Sequence, residues 1–462
     1  MTAPEAARLR LSRTIPAPGV ENLDRLHEHG HAAYVVGGSL RDALGGREPA
    51  DWDLATDALP ERLVALLHGA VYENRFGTVA VRVDEDVYEI TTFRTEHEYA
   101  DFRRPHRVEF GSDIVADLAR RDFTVNAIAW GREAADDGPK ALVDPFGGVA
   151  DLELRLLRAV GDPDARFRED ALRMIRAVRL AATLGFEVEP ATLAAIRANA
   201  PLVGHLSGER IGAELEKLLA APRPSVGLRL AEETGLLAVI APDLAAQRGI
   251  PQNKIPGEDL WDHTLRTVDA APSSRPVVRL AALVHDIGKP STLADGHFHH
   301  HDVAGARIAE TWLRGLRFPR AAADDVAHLV RHHMFWPDPG LSDAAVRRFL
   351  QRVGARHLDS LFALRRADDI GSGAPDDPAL AVFRARLDAE LAAEAALDRH
   401  ALAIDGDDLM RELGLEPGPR LGRMIEALVD QVINDPVLNE RATLLLLAQG
   451  MLADMDEHRR DR

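Results

Sequence analysis

Val36-Gly-Gly-Ser-Leu-Arg-Asp-Ala-Leu-Gly-Gly-Arg-Glu-Pro-Ala-Asp-Trp-Asp-Leu-Ala-Thr56 is the stretch that decides how this chain folds. The apolar run Ala32–Val36 breaks at Gly37-Gly38 and restarts with helical periodicity, Ser39 near the N-cap, which predicts strand, turn and helix. Backbone N–H groups at such a helix start face an anion. Further on, Asp51 and Asp53 stand two residues apart. On a strand, i and i+2 share a face, so both carboxylates converge on one divalent cation while Trp52 turns toward the core. Phosphate beside a two-carboxylate Mg²⁺ site is what phosphoryl or nucleotidyl transfer needs. Read separately, the two halves are an ordinary turn and a solvated strand edge; their adjacency is what points to metal.

Working outward, 462 residues exceed one compact core and predict about two to four domains. With 46% hydrophobic residues the chain is expected to fold, and with no cysteine any metal must be held by Asp, Glu or His. No window approaches about eighteen uncharged apolar residues, and Met1–Arg8 lacks the apolar core of a signal peptide. A soluble, cytoplasmic protein with no membrane partner is expected. The net charge of −18 argues against a nucleic-acid partner at first sight, but it is unevenly spread. Residues 361–412 carry twelve acids against six arginines, whereas residues 151–180 hold seven arginines against six acids. Only four of the 56 basic residues are lysine, so phosphate contacts fall mostly to arginine.

Up to about residue 150, strand-like runs at 34–36, 52–55, 78–83 and 87–92 alternate with helical stretches at 20–30, 39–45 and 60–68, a small α+β domain. From Asp151 onward Ala/Leu/Arg helices dominate, including 168–184, 191–199, 208–220 and 224–236. Pro/Gly-rich breaks at 248–259 and 371–379 are the linker candidates, and 384–402 reads as a solvated amphipathic helix.

Several residues join the first site. In Ala119-Arg-Arg-Asp-Phe-Thr-Val-Asn-Ala-Ile128, ahead of an expected apolar helix, Arg121 would clamp a triphosphate and Asp122 a ribose hydroxyl; an ordinary acidic helix start competes with this. Residues 75–95 make a plausible hairpin in which Glu89 is either a third catalytic carboxylate or an exposed strand glutamate. Asp170, Arg173, Arg176 and Arg179 recur at i+3 in one helix as a continuous polar stripe. The plain reading is a surface ion-pair ladder. The sharper one uses hydrogen-bond inventory: a carboxylate accepts from an exocyclic amino group and a guanidinium donates to the neighbouring acceptor, a pattern that selects cytosine and adenine over guanine and uracil.

The chain resembles the bacterial class II CCA tRNA nucleotidyltransferase and poly(A) polymerase family. The resemblance is carried by Gly37-Gly-Ser-Leu-Arg-Asp42, Asp51-Trp-Asp53, Arg75-Phe-Gly-Thr-Val79, Arg120-Arg-Asp-Phe-Thr-Val-Asn-Ala127, Asp144-Pro-Phe-Gly-Gly148, Glu169-Asp-Ala-Leu-Arg-Met-Ile-Arg176 and Glu209-Arg-Ile211. It implies a nucleotidyltransferase head (1–150), a helical neck (151–250), a metal-binding helical domain (251–400) and a C-terminal helical element (401–462). It further implies that Asp51 and Asp53 hold catalytic Mg²⁺, that Gly37, Gly38, Arg41, Asp42, Arg121 and Asp122 hold the nucleotide, and that Asp170 and Arg173 read the base, with Arg176 and Arg179 continuing the binding stripe. The expected reaction adds C, C and A from CTP and ATP to a tRNA 3′ end without a template, releasing pyrophosphate. Poly(A), A-adding or CC-adding activity is the alternative, decided by a segment near 94–107, and a reading of another class makes the chain a phosphohydrolase of the helical domain with the first domain an RNA-binding head.

In the helical part, Trp261-Asp-His-Thr-Leu265, Leu283-Val-His-Asp-Ile-Gly-Lys289 and Ala367-Asp-Asp369 place adjacent His and Asp in apolar helix, where a metal would compensate their lost solvation. This resembles the HD phosphohydrolase superfamily, which implies His263, His285, Asp286 and Asp368 as ligands of a second divalent metal, and trimming of 2′-phosphate or 2′,3′-cyclic phosphate ends. His301, and His332 or His333, either widen the site or are surface and helix-end histidines. The stretch 404–422 resembles a C-terminal helical element that contacts RNA or simply packs.

Overall fold

The computed structural model describes the chain except residues 1–10, 12–13, 50, 75–76, 84–85, 101–103, 135–137, 139, 253, 375–376, 398–401 and 461–462. The opening stretch folds as strand β1 (Ala33–Val36), helix α1 (Gly37–Leu44) and strand β2 (Trp52–Thr56). With β3 (Ala70–Asn74), β4 (Thr78–Val83), β5 (Asp86–Thr92), β8 (Ala129–Arg132) and β9 (Ala141–Val143) they form a seven-stranded sheet, ordered β3-β4-β5-β2-β1-β8-β9. The sheet is mixed: β2 runs parallel to β5, while its other pairs are antiparallel. Alternation along β1 sends Ala33 and Val35 into one apolar layer and Tyr34 and Val36 into the other, so both faces are covered. A separate hairpin, β6 (Arg94–Ala100) with β7 (Arg104–Phe110), occupies the segment expected to set product choice.

Three local expectations change. Helix α1 starts at Gly37, with Val36 at the N-cap position, so Ser39 is not the cap. Its hydroxyl donates to the Val36 carbonyl and accepts the Asp53 N–H, tying α1 to β2. No apolar helix follows Asp122: a short 3₁₀ turn, Thr124–Asn126, leads into β8, and Arg121 sits just beyond the end of helix Ile114–Ala119. The helix expected over 168–184 is two, α2 (Pro163–Glu169) and α3 (Leu172–Leu184). Asp170 between them is extended, and its carboxylate accepts the Leu172 N–H. A short acid that can cap the next helix ends the previous one.

Beyond residue 150 the chain is helical, apart from two-residue strand pairs. One apolar core runs from Phe123 and Val125 of the head through α3, α4 (Gly208–Leu219), α5 (Leu260–Ala270), α6 (Pro276–Val284), α7 (His301–Gly315), α8 (Arg320–His332) and α9 (Leu358–Gly371) to Leu387. The C-terminal helices build a small core of their own around Leu409, Met424, Leu428 and Leu444. Among the described residues no helix is long and apolar enough to cross a membrane.

Candidate functional site

The first site lies where β1, β2 and β5 meet the start of α1. Antiparallel pairing sets Val36 opposite Asp53, and parallel pairing sets Asp53 opposite Glu89, which brings Glu89 to the same face of the sheet. Asp51 is exposed just ahead of β2, and Trp52 between the two aspartates is buried. Burial pushes the Asp53 carboxyl up to about 6; Asp51 and Glu89 add to the shift, and Arg121 and Arg41 oppose it. Such an excess of negative charge favours a cation, and all-oxygen donors suit a hard divalent one.

Gly37 has φ +75°, and a Cβ there would stand 3.0 Å from Asp53 Oδ2 and 3.2 Å from Arg121 Nη1. The backbone turn thus opens directly between a carboxylate and a guanidinium. Gly37→Ala is expected to lower the rate of nucleotide incorporation about tenfold or more, because left-handed backbone costs a non-glycine residue about 1–2 kcal/mol and the methyl crowds both groups. An unchanged steady-state rate of CTP incorporation would refute this placement.

The arginines are held in register by acids. Arg121 donates to Asp117, a buried carboxylate that also accepts from Arg120. Arg41 is clamped by Asp42 at 2.9 and 2.8 Å and donates to Asn126 Oδ1 at 2.8 Å, so Asp42 faces Arg41. The Asn126 amide in turn donates to Asp122. Buried Asp122 also accepts from the Phe123 N–H and from Arg176, and against its burial Arg176 and Asn126 hold it well below the usual carboxylate range. Arg176 and Arg179 share Glu214 on α4. The expected continuous stripe is therefore interrupted: Arg176 and Arg179 tie the neck to the head and to α4. Asp122 serves the same junction.

Asp170 pairs with Arg210 at 2.7 Å, while Arg173 pairs with Glu169 at 2.7 Å and donates to the Arg120 carbonyl at 2.8 Å. Their side chains take these other partners, while the Arg173 backbone N–H donates to the Asp170 carbonyl at 3.1 Å, and both stand at the helix break beside the Arg120–Arg121 segment. Arg210 and Asn126 lay inside the quoted motifs without being singled out; Glu214 and Asp117 had no sequence signal. Of the Arg75-Phe-Gly-Thr-Val79 motif, Arg75 and Phe76 lie outside the described residues.

The second site gathers residues from five places in the helical region. His263 Nε2 lies 3.0 Å from His285 Nε2 and 3.2 Å from Asp368 Oδ1, and His285 Nε2 lies 3.2 Å from Asp286 Oδ2. On its other oxygen Asp286 meets His301 Nε2 at 3.5 Å and His333 Nε2 at 3.7 Å. The Nδ1 atoms of His285, His301 and His333 sit 2.7–3.0 Å from the carbonyls of Ala282, Phe298 and Val330, which turns each Nε2 toward the cluster. Among the described residues, the ligand atoms of His263, His285 and Asp286, and those of Asp286, His301 and His333, lie within 4.8 Å of one another; Asp51, Asp53 and Glu89 form no such set. Buried His301 Nε2 has no hydrogen-bond partner, and burial lowers the His263 and His301 pKa toward the neutral form that binds metal. His333 rather than His332 faces the cluster; the His332 ring packs against His328, 4.5 Å between centroids.

Known proteins match both regions of the chain. Residues 33–158 match the poly A polymerase head domain, residues 185–248 the probable RNA and SrmB-binding site of polymerase A, and residues 257–394 the HD domain. The CCA-adding enzyme of Geobacillus stearothermophilus is 34% identical over 420 residues, covering 91% of this chain and 93% of that one. That of Geobacillus kaustophilus (strain HTA426) is 37% identical over 426 residues, covering 90% and 92%. The crystal structure of the Bacillus stearothermophilus CCA-adding enzyme in complex with CTP superposes with a TM-score of 0.71 at 31% identity, covering 96% of this chain and all of that one. The Thermotoga maritima CCA-adding enzyme complexed with tRNA shares the fold, with a TM-score of 0.57 at 18% identity. With identity above 30% across nine-tenths of both chains and the head, neck and HD segments in the same order, this chain belongs to the family of CCA-adding enzymes.

Proposed function

We propose that the chain is a nucleotidyltransferase that adds C, C and A from CTP and ATP to the 3′ end of tRNA, with the chemistry at Asp51 and Asp53. The observation that carries this assignment of residues is the convergence of Asp53, Arg121 and the Gly37 turn within about 3 Å of one point. The tRNA 3′-hydroxyl attacks the α-phosphorus and pyrophosphate leaves. Asp51 and Asp53 would hold Mg²⁺, which would supply charge neutralisation at phosphorus and a more acidic hydroxyl. Glu89, beside Asp53 in the sheet, adds to the negative field that draws the cation. Backbone N–H groups at Gly37 and Gly38, with Arg41 and Arg121, bind the triphosphate oxygens, and the fixed forks of the arginines orient it. Asp42 and Asn126 position Arg41, and Asp117 positions Arg121. Asp170 and Arg173 read the base edge at the break between α2 and α3, held there by Arg210 and Glu169.

A second activity is supported by the histidine cluster. His263, His285, Asp286 and Asp368 would hold a divalent metal, with His301 and His333 widening the site across Asp286. Mixed imidazole and carboxylate donors suit a transition metal, and a hydrolytic phosphoesterase is the chemistry such a centre supplies.

The first activity is tested by incubating the protein with tRNA lacking its last three nucleotides and adding labelled CTP, ATP, GTP and UTP separately and together. Two C and one A are expected, and neither G nor U. A long A tail would make the protein a poly(A) polymerase.

A further inference from the structure

Of four lysines in the whole chain, two stand at the histidine–aspartate cluster. Lys289 is buried with its ammonium 2.7 Å from Asp286, where it helps to keep that carboxylate ionised. Lys254 differs. It comes from the loop before α5, a third of its side chain is exposed, and its Nζ reaches 3.6 Å from Asp368 Oδ1 and 2.8 Å from Ser372 Oγ. On the same loop Gln252 donates to Asp286, so this loop closes one side of the cluster while Lys254 borders an open groove of about 670 Å³. An ammonium beside Asp368 balances the carboxylate charge; where a divalent cation does that instead, the ammonium is left to meet an anion at the rim.

An aromatic stands beside Arg365, one helical turn before Asp368. Arg365 and Asp368, at i and i+3, share one face of α9, and Ser372 caps its C-terminal end. Lys254 sits toward the Ser372 end. Toward the other end the Arg365 guanidinium lies 5.9 Å from the centre of the Trp336 ring, donates to the Phe335 carbonyl and pairs with Asp369. Trp336 follows the cluster histidine His333 by three residues, yet it is 78% exposed, with Met334 beside it at 61%. An indole steadied by a guanidinium and otherwise open to solvent is a stacking platform, and every nucleobase has a face to offer it.

We propose that Lys254 and Trp336 form the two-sided substrate rim of the histidine–aspartate centre, Lys254 taking a phosphate oxygen and Trp336 stacking the base, so that the centre acts on nucleotide and RNA ends rather than on phosphate esters at large. This rests on the phosphohydrolase reading above. Lys254 and Trp336 bind substrate; His263, His285, Asp286 and Asp368 would hold the metal that would activate water for the cleavage.

The test uses the full chain with Mn²⁺ and two phosphomonoesters of secondary alcohols, adenosine 2′-phosphate and glycerol 2-phosphate, which differ in the presence of a base. Trp336→Ala is expected to raise KM for adenosine 2′-phosphate about tenfold and to leave KM for glycerol 2-phosphate unchanged, with Trp336→Phe close to wild type. Lys254→Ala is expected to raise KM for both, with Lys254→Arg recovering most of the loss and kcat little altered. Indole fluorescence gives a readout independent of turnover: adenosine 2′-phosphate should quench the wild type and fail to quench Trp336→Ala, and glycerol 2-phosphate should quench neither. Equal effects of Trp336→Ala on the two esters, or none, overturn the rim. Should the wild type hydrolyse neither ester, the phosphohydrolase reading falls, and the quench alone then decides whether Trp336 binds a base.

Discussion

Asp53→Asn is expected to lower nucleotide addition by about a thousandfold or more while leaving the protein folded. A metal-assisted phosphoryl centre contributes several kcal/mol to the transition state, and each 1.4 kcal/mol is a factor of ten. Asparagine keeps the size of the side chain and removes the charge. The effect on stability runs the other way. Folding raises the Asp53 carboxyl from 3.8 to about 6, so the folded state binds this proton more tightly than the unfolded chain does. Its contribution to stability is therefore present below about pH 4 and is lost as pH rises through 6. At pH 7 without metal the ionised group costs about 1–3 kcal/mol, which Asparagine removes. The Asn variant should then melt a few degrees above wild type at pH 7 in a chelator, and show no such gain at pH 4. The same proton competes with Mg²⁺, so the concentration giving half-maximal rate should climb by up to about tenfold per pH unit below 6 in the wild type. A variant that keeps its activity, or a Mg²⁺ requirement flat between pH 7 and 5, would remove Asp53 from the metal site.

Asp122→Ala is the substitution expected to damage the fold most, by about 3 kcal/mol. It strands Arg176 at the head–neck junction and takes the acceptor from the Asn126 amide and the Phe123 N–H. Asp122→Asn, which keeps the shape but not the charge, should recover part of the loss. Urea unfolding at pH 7 reads both, as a fall in midpoint at constant slope. Because Asn126 also accepts from Arg41, the alanine variant should lose activity at temperatures where it is still folded. A midpoint equal to wild type would show that Asp122 faces the nucleotide and not the junction.

The contrast between Asp53 and Asp122 shows what was legible in the chain. Strand, glycine turn, helix and D-x-D pair could be read from residues 32–56 because each signal is local: a change of period, a backbone that needs glycine, two carboxylates on one face. The break at Asp170 was hidden by a regular i+3 recurrence, although the side chain that makes the recurrence also caps the next helix. The edge strands β3 and β9 and the interior strand β8 escape such a reading, since strands of three to five residues carry little alternation.

Sequence alone determined the chemistry on offer: no thiolate, oxygen ligands beside a phosphate turn, histidines and aspartates spaced along helices, and almost no lysine. Only the tertiary structure decided which charges meet. It gave Arg176 to Asp122, 54 residues away, and Arg179 to Glu214, 35 residues away. It turned His333 and not its neighbour His332 toward Asp286. Ion pairs and metal clusters depend on distances of a few ångströms between segments remote in sequence, and helical or strand periodicity fixes the face a side chain occupies without fixing what lies opposite it.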